Sequence, residues 1–318
     1  MLFYNAVYTA LDVLTGTVLS ALNMPMAADA KHCISRYWNR PMMPRQATPY
    51  EYPQHLREAI EDAPTGAGVY VFHGRAGDLP LYIGKSINIR ARLLSHLRTP
   101  DEARMLRQTQ RISHIRTAGE IGALLLEAQM IKQQQPLFNQ RLRRNRQLCS
   151  WRVREGVPEV VSAHEIDFAT EPDLYGLYAS RHAAQDALRA LADEHRLCYG
   201  ALGLEKLPVG KACFRASLRM CAGVCRGIES PHAHQQRLFT ELLALRVNCW
   251  PHPGAVGLVE QDGDFTQVHV VRNWCYLGSA ASIKEAKHLS TVATGFDADG
   301  YKILVRPMLT GALPVVRL

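Results

Sequence analysis

Two short stretches decide the fold of the first well-patterned part of the chain: GVYVFH at residues 68–73 and LYIGK at residues 81–85. β-Branched and aromatic side chains dominate both, which is typical of strands. The glycine-containing segment 74–78 between them indicates a β-hairpin with a somewhat long loop. The apolar spacing then changes to that of a helix, whose start Ser86 or Asn88 can cap. The apolar face of that helix consists of Ile89, Leu93, Leu94 and Leu97.

A third strand and a longer helix complete the predicted domain. The strand is expected at Arg111–Arg116, and the helix is expected to begin at Thr117, with Glu120 in a capping-box spacing, and to end before Pro136. Glu127 lies roughly 100° from the centre of the apolar stripe, where a carboxylate can be held rigidly and still face a cleft. The sequence therefore predicts an α+β fold, with a small three-stranded antiparallel sheet flanked by helices. The apolar stripe consists of Ile121, Leu124, Leu125, Ala128 and Ile131.

The tripeptides Gly68-Val69-Tyr70 and Tyr82-Ile83-Gly84 mean little singly, but polar residues come after them in a definite order. In this pattern the chain resembles the UvrC branch of the GIY-YIG nuclease family, with valine in place of the first isoleucine. That branch more often has tyrosine where this chain has His96. The polar residues of the pattern are Lys85, Arg92, His96, Glu127 and Asn139.

The resemblance implies metal-dependent hydrolysis of phosphodiester bonds. A Mg²⁺ (or Mn²⁺) ion at Glu127 would act as a Lewis acid on the phosphate, and Arg92 would offer a planar donor fork to it. Lys85 is expected to lie beside Tyr82 and to lower the pKa of its phenol, so that Tyr82 can take a proton from water. Tyr70 would position or assist Tyr82, and which tyrosine is the base stays open.

Each of these residues has an ordinary alternative when it is taken alone. Tyr70 and Tyr82 would be core or edge aromatics. Glu127, Lys85 and Arg92 would be solvated charges. His96 would be a surface or helix-end histidine rather than a catalytic one. For Asn139 a structural role, such as capping a turn, is favoured even within the family interpretation.

Four of the eight cysteines have the spacing C-x14-C-x7-C-x3-C. Their segment resembles the cysteine-containing linker behind the nuclease domain in the UvrC branch, and that resemblance implies a [4Fe–4S] cluster. A zinc ion is the second possibility, although the lack of a C-x2-C pair argues against a zinc ribbon. The third is reduced cysteines that only pack. The four are Cys198, Cys213, Cys221 and Cys225; the others, interpreted as unliganded, are Cys33, Cys149, Cys249 and Cys275.

The charge balance favours a polyanionic partner. The chain of 318 residues has a formal net charge of +8, and each basic residue that neutralises a phosphate releases counterions. The run RLRRNR at residues 141–146 is the candidate for phosphate contact, with a merely solvated surface as the alternative. Its candidate DNA-binding residues are Arg141, Arg143, Arg144 and Arg146.

The chain is expected to comprise four segments. Residues 1–49 would be a poorly ordered extension, 50–145 the nuclease domain, 146–230 the linker with the cysteines, and 231–318 a small mixed α+β region that could bind a partner. The apolar start has no Lys or Arg before it and is interrupted by Asp12, which argues against a signal peptide or a membrane span. A cytoplasmic protein is expected.

The likeness to the UvrC branch covers roughly residues 51–225, and the remaining residues are too few for the further UvrC domains. A short UvrC homologue implies one nick in damaged double-stranded DNA, on the 3′ side of the lesion, after UvrA and UvrB have marked it. The chain would act as a monomer. It would bind UvrB through a surface outside the part that resembles UvrC. The alternatives are a structure- or sequence-selective GIY-YIG endonuclease outside excision repair and a catalytically inactive DNA-binding protein.

Overall fold

The computed structural model describes residues 53–75, 80–139, 148–208, 210–289 and 295–318. The predicted extension at 1–49, Cys33 and the arginine run at 141–146 lie outside these ranges and stay predictions. Within them, no helix combines the length and the apolar character needed to cross a membrane.

The predicted hairpin and third strand are present as one antiparallel sheet. β1 (Gly68–His73) pairs with β2 (Pro80–Ser86) on one side and with β3 (Arg111–Arg116) on the other, in the order β2-β1-β3. The register places Tyr70 directly opposite Gly84. The two tripeptides are therefore neighbours across the hairpin, which brings their side chains to one place.

Helices cover both faces of this sheet. Because side chains alternate along a strand, Tyr70 and Phe72 face a core formed with the helices before and after the hairpin, whereas Val69 and Val71 pack with Met130 on the opposite face. Asn88 caps the second helix by accepting a hydrogen bond from the backbone N–H of Ala91, as predicted. The helices are α1 (Arg57–Glu61), α2 (Ile89–Leu97), α3 (Ala103–Gln108) and α4 (Glu120–Gln134).

The start of α4 differs from the prediction. Gly119 is its N-cap residue and contributes no side chain, while the Thr117 hydroxyl donates to the Gly119 carbonyl oxygen at 2.8 Å instead of capping the helix. The capping box predicted from Thr117 and Glu120 is therefore wrong. The end of the helix is as predicted, since Gln135 adopts a left-handed conformation directly before Pro136.

A second sheet comes next in the chain, in the order β5-β4-β6. Trp151 lies at its centre, buried against the next helix, and donates from its indole nitrogen to the carbonyl oxygen of Ala184 at 3.0 Å. Leu238 and Leu242 of a later helix complete this core. The elements are β4 (Cys149–Arg154), β5 (Val157–Ser162), β6 (Leu174–Tyr178), α5 (Arg181–Glu194), α6 (Phe214–Ser217) and α7 (Pro231–Leu243).

The C-terminal region forms a third antiparallel sheet, in the order β10-β7-β8-β9, with two helices. Its core includes Trp274 and Leu304, and Leu125 of α4 packs into the same cluster. The mixed α+β character predicted for this region is confirmed. Its elements are β7 (Val256–Asp262), β8 (Phe265–Arg272), β9 (Cys275–Ala280), α8 (Ile283–Leu289), α9 (Ala298–Leu309) and β10 (Val315–Arg317).

Candidate active site

The two motif tyrosines lie together on the inner face of the hairpin. Tyr70 is 1% exposed, and its ring centroid is 6.3 Å from that of Tyr82. The Tyr70 phenol lies directly over Gly84, where a β-carbon would stand only 2.4 Å from the hydroxyl oxygen. The motif glycine is therefore required by a close approach of Tyr70 and not by its backbone angles.

A chain of hydrogen bonds runs from the buried Tyr70 and His96 to the partly exposed Glu102. The Tyr70 hydroxyl lies 2.6 Å from Nε2 of His96, and Nδ1 of His96 bonds the Glu102 carboxylate. An ionised carboxylate can only accept, so Nδ1–H donates a hydrogen bond to Glu102 and the unprotonated Nε2 accepts one from the phenol. The sequence patterns did not indicate Glu102, because this residue lies in the short turn Pro100–Glu102, outside any motif.

Burial sets the protonation states of the side chains in this hydrogen-bonded array. It lowers the pKa of His96, and the nearby Glu102 carboxylate offsets that effect only in part. Burial also raises the pKa of Tyr70 and of Tyr82, and the negative charge of Glu127 adds to both increases. Near neutral pH the site therefore holds two phenols and a neutral imidazole.

Lys85 lies elsewhere than predicted. Its side-chain nitrogen donates to the Glu120 carboxylate at 2.6 Å. Strand alternation turns it towards α4, away from the face that carries Tyr82. Because burial and Glu127 raise the pKa of Tyr82, the expectation that Lys85 lowers it is not met. The sequence indicates Glu120, the partner of Lys85, only as a capping residue.

Glu127 and Arg92 bring opposite charges to the tyrosines. Glu127 is partly buried and accepts a hydrogen bond from the backbone N–H of Lys85 at 3.0 Å. Burial raises the pKa of Glu127 more than Lys85 lowers it. For Arg92, burial lowers the pKa, but Tyr70 and other nearby groups outweigh it and keep the guanidinium charged. The charges of a cation and a carboxylate thus act on the same two phenols. This set of groups is suited to a phosphate group and a metal ion.

Asn139 holds the backbone of β2. Its side-chain nitrogen donates to the Ile83 carbonyl oxygen at 2.8 Å, and its side-chain oxygen accepts from the Ile83 N–H at 2.9 Å. It thereby fixes the strand that carries Tyr82, a contact consistent with the structural role favoured from the sequence.

Three family profiles match successive parts of the chain. The UvrC-like GIY-YIG domain matches residues 66–140, the UvrC/Cho excinuclease middle domain 147–242, and the excinuclease Cho C-terminal domain 255–318. Excinuclease Cho of Escherichia coli O6:H1 is 59% identical over 269 residues, which cover 85% of this chain and 91% of that protein. The chain belongs to the excinuclease Cho family.

Other relatives match either most of this chain or only a part of it. Excinuclease Cho of Salmonella typhi is 57% identical over 85% of this chain and 92% of that protein. The UvrABC system protein C of a Synechocystis strain is 31% identical over 59% of this chain and 31% of that longer protein. The magnesium-bound GIY-YIG domain of UvrC from Thermotoga maritima is 34% identical, with a TM-score of 0.25, over 26% of this chain and 94% of that one. The predicted membership among UvrC-like GIY-YIG endonucleases is confirmed.

In this Cho family member the four spaced cysteines form one cluster. Their sulfur atoms all lie within 4.8 Å of one another, and the sulfur atoms of Cys198 and Cys225 are 3.7 Å and 3.5 Å from that of Cys213. Backbone N–H groups of Cys213 and Gly223 point at sulfurs of the cluster. Among the residues that the structure describes, no other group of three or more cysteine, histidine or acidic side chains is arranged to hold a metal ion.

The sulfur spacing can be compared with the two candidate metal centres. A tetrahedral zinc ion with Zn–S bonds of about 2.3 Å needs sulfurs about 3.8 Å apart, which is close to the distances around Cys213. A [4Fe–4S] cluster binds each sulfur through a different iron atom and needs a wider spread. The four cysteine sulfurs, at their present spacing, therefore fit a single ion. A [4Fe–4S] cluster requires these sulfurs to move apart.

Proposed function

We propose that this protein incises the damaged DNA strand on the 3′ side of a lesion in nucleotide excision repair. The observation that carries the proposal is that the charges of Arg92 and Glu127 both act on Tyr70 and Tyr82 at the hairpin. The family supplies the setting, since the Cho relatives are named excinucleases and the more distant relatives belong to the UvrABC system.

Glu127 is proposed as the metal ligand. A bound Mg²⁺ would supply Lewis acidity at the scissile phosphate and the leaving oxygen. The Lys85 N–H holds one carboxylate oxygen of Glu127 and thereby fixes the orientation of the other. Because burial disfavours the charged carboxylate, a cation at this position stabilises the form that binds it.

Tyr70 is proposed to activate the attacking water through its hydrogen-bond chain. As Tyr70 takes a proton from water at its hydroxyl oxygen, it passes its own proton to Nε2 of His96. Glu102 stabilises the imidazolium that results. The lowered pKa of His96 keeps Nε2 free to accept. Tyr82 would position the water, and Arg92 would neutralise charge that develops on the phosphate.

The arginines of the run at 141–146 would contact DNA phosphates, and the region after residue 230 would contact UvrB once UvrA and UvrB have marked the lesion. The protein would act as a monomer in the cytoplasm. Cleavage would be carried out by the predicted segment 50–145. Segment 146–230 would be the linker, and segment 231–318 would bind a partner.

The cysteine cluster is proposed to bind a metal centre, with a [4Fe–4S] cluster and a zinc ion as the candidates. Absorption spectra and metal analysis of anaerobically purified protein separate them, because only the iron–sulfur cluster absorbs in the visible range. A colourless protein with one zinc ion would select the single ion. Protein without iron or zinc would overturn the proposal.

The incision proposal is tested on an end-labelled duplex with one bulky adduct, preloaded with UvrA, UvrB and ATP. In the presence of Mg²⁺ the wild-type protein should make one nick 3′ to the adduct. Glu127→Gln should abolish it, whereas Glu58→Gln, at an exposed position of α1, should not. Cutting of undamaged DNA, or cutting without UvrB, would favour a GIY-YIG endonuclease outside excision repair.

A further inference from the structure

The helix that carries Glu127 is capped from the C-terminal sheet. Glu260 of β7 accepts hydrogen bonds from the backbone N–H groups of Ile121 at 3.0 Å and Gly122 at 2.7 Å. These are two of the N–H groups that a helix start leaves without an internal partner. A carboxylate there also meets the positive end of the helix dipole.

A series of buried hydrogen bonds holds the Glu260 carboxylate in place. His269 of β8 lies 3.0 Å from Glu260 through Nε2 and 2.6 Å from the Ser279 hydroxyl through Nδ1. Glu260 is 8% exposed and His269 is fully buried. Burial works against the charge of Glu260, but His269 and the two amides outweigh it and lower the pKa of the carboxyl. The cap is therefore an ionised acceptor.

Two glycines at the helix start make room for this cap. A β-carbon at Gly119 would lie 2.3 Å from a carboxylate oxygen of Glu260, and one at Gly122 would lie 2.4 Å from the His269 ring. Neither glycine needs left-handed backbone angles. Their lack of a side chain thus serves the close approach of Glu260 and His269.

The other end of the helix contacts the same region. Lys132 in the last turn of α4 forms ion pairs with Asp297 and, at 3.0 Å, with Asp299, at the start of α9. A basic residue in the last turn also meets the negative end of the helix dipole. Polar contacts with C-terminal residues therefore fix α4 at both ends.

We infer that the C-terminal sheet positions the catalytic helix: Glu260, supported by His269, fixes the first turn of α4 and thereby the orientation of Glu127. Glu120 and Glu127 are about two helical turns apart and lie on one side of the helix. Both bond Lys85, so a shift of the first turn moves the Glu127 carboxylate as well. Glu260 acts as a positioning residue, and the inference rests on the proposed role of Glu127 as metal ligand.

The test measures Mn²⁺ binding to the full chain in the absence of DNA. Glu260→Gln should weaken Mn²⁺ binding by about tenfold, as loss of a residue that orients a metal ligand commonly does. Hydrogen exchange at Ile121 and Gly122 should become faster. The matched control is Asp262→Asn, which removes the exposed Arg116–Asp262 ion pair between β3 and β7 without touching α4, and it should bind Mn²⁺ as the wild type does.

The outcomes separate the inference from the proposed function. If Glu127→Gln binds Mn²⁺ as tightly as the wild type, the proposed metal site falls. If Glu127→Gln loses binding but Glu260→Gln keeps wild-type affinity, only the positioning role is overturned. Should Glu260→Gln fail to fold, Lys132→Gln tests the other end of the helix, where weaker Mn²⁺ binding is expected and unchanged binding would contradict the inference.

Discussion

The hairpin site and the cysteine cluster are two concentrations of reactive side chains that are built differently. Tyr70, Tyr82, Arg92 and Glu127 each stand on a strand or a helix, and backbone pairing fixes their positions. The four cysteines lie at residues 198–225, and the regular structure among the described residues there is the four-residue helix α6 and part of a 3-10 helix, Val224–Arg226. Strand pairing and helix packing thus position the first site, whereas the proposed metal centre would link cysteines that lie mostly in turns.

The largest expected effect tests whether the hairpin site is assembled before metal binds. Glu127→Gln should lower the incision rate by about 1000-fold or more, because the metal loses its ligand. Without metal its melting temperature should equal or exceed that of the wild type, since burial disfavours the charged carboxylate. Mg²⁺ should raise the melting temperature of the wild type only. A large loss of stability in metal-free Glu127→Gln would count against a preassembled site.

Gly84→Ala tests how tightly the tyrosines are packed. The added β-carbon would meet the Tyr70 hydroxyl at 2.4 Å and push the ring away from His96. A displacement of this kind is expected to lower the rate by about 100-fold, with a loss of roughly 1–3 kcal/mol in unfolding free energy. Steady-state incision kinetics and thermal melts measure both. Wild-type activity would mean that the Tyr70–His96 contact does not matter for catalysis.

Glu102→Gln is expected to change the pH profile of incision. Protonation of His96 blocks proton transfer from Tyr70, so the rate should fall as the pH falls through the pKa of His96. Burial holds that pKa below its ordinary value, and Glu102 raises it in part. Removing the charge of Glu102 should therefore move the acid limb to lower pH and reduce the plateau rate by about tenfold. An unmoved acid limb would exclude His96 as the titrating group.

The smallest effect on incision is expected from Cys213→Ser, although its effect on stability should be clear. Loss of the metal centre should destabilise the segment 198–225 by about 3 kcal/mol or more, while the hairpin site keeps its geometry. Metal analysis, melting curves and incision assays measure this separation. The control is Cys249→Ser, because the Cys249 thiol bonds the Glu171 carbonyl oxygen outside the cluster. Equal metal loss in both variants would contradict the ligand set.

The part of the site that sequence could predict is the part built from local patterns. Runs of β-branched and aromatic side chains on either side of a glycine-containing loop predicted the hairpin, and the apolar period predicted α2 with Asn88 as a candidate cap. Local patterns also misled, because Thr117 has the spacing of a helix cap but bonds Gly119 instead.

The contacts that escaped prediction join residues far apart in the chain. Glu260 caps a helix 138 positions away from it at Gly122, and no local pattern at either end marks the pair. Lys85 pairs with Glu120 and not with Tyr82 because strand alternation turns it to the opposite face. The alternation of side chains along the strand can be predicted from the sequence. The pairing of Lys85 with Glu120 cannot, because it depends on how α4 packs.

Asn139 has a consequence beyond catalysis. β2 is an outer strand of its sheet, and the backbone N–H groups of Leu137 and Phe138 donate to the carbonyl oxygens of Pro80 and Leu81, directly before the bonds of Asn139 to Ile83. An outer strand with free backbone groups is a template for pairing with another chain. The segment 137–139 occupies that template along β2, so the strand that carries Tyr82 is protected from edge-to-edge aggregation.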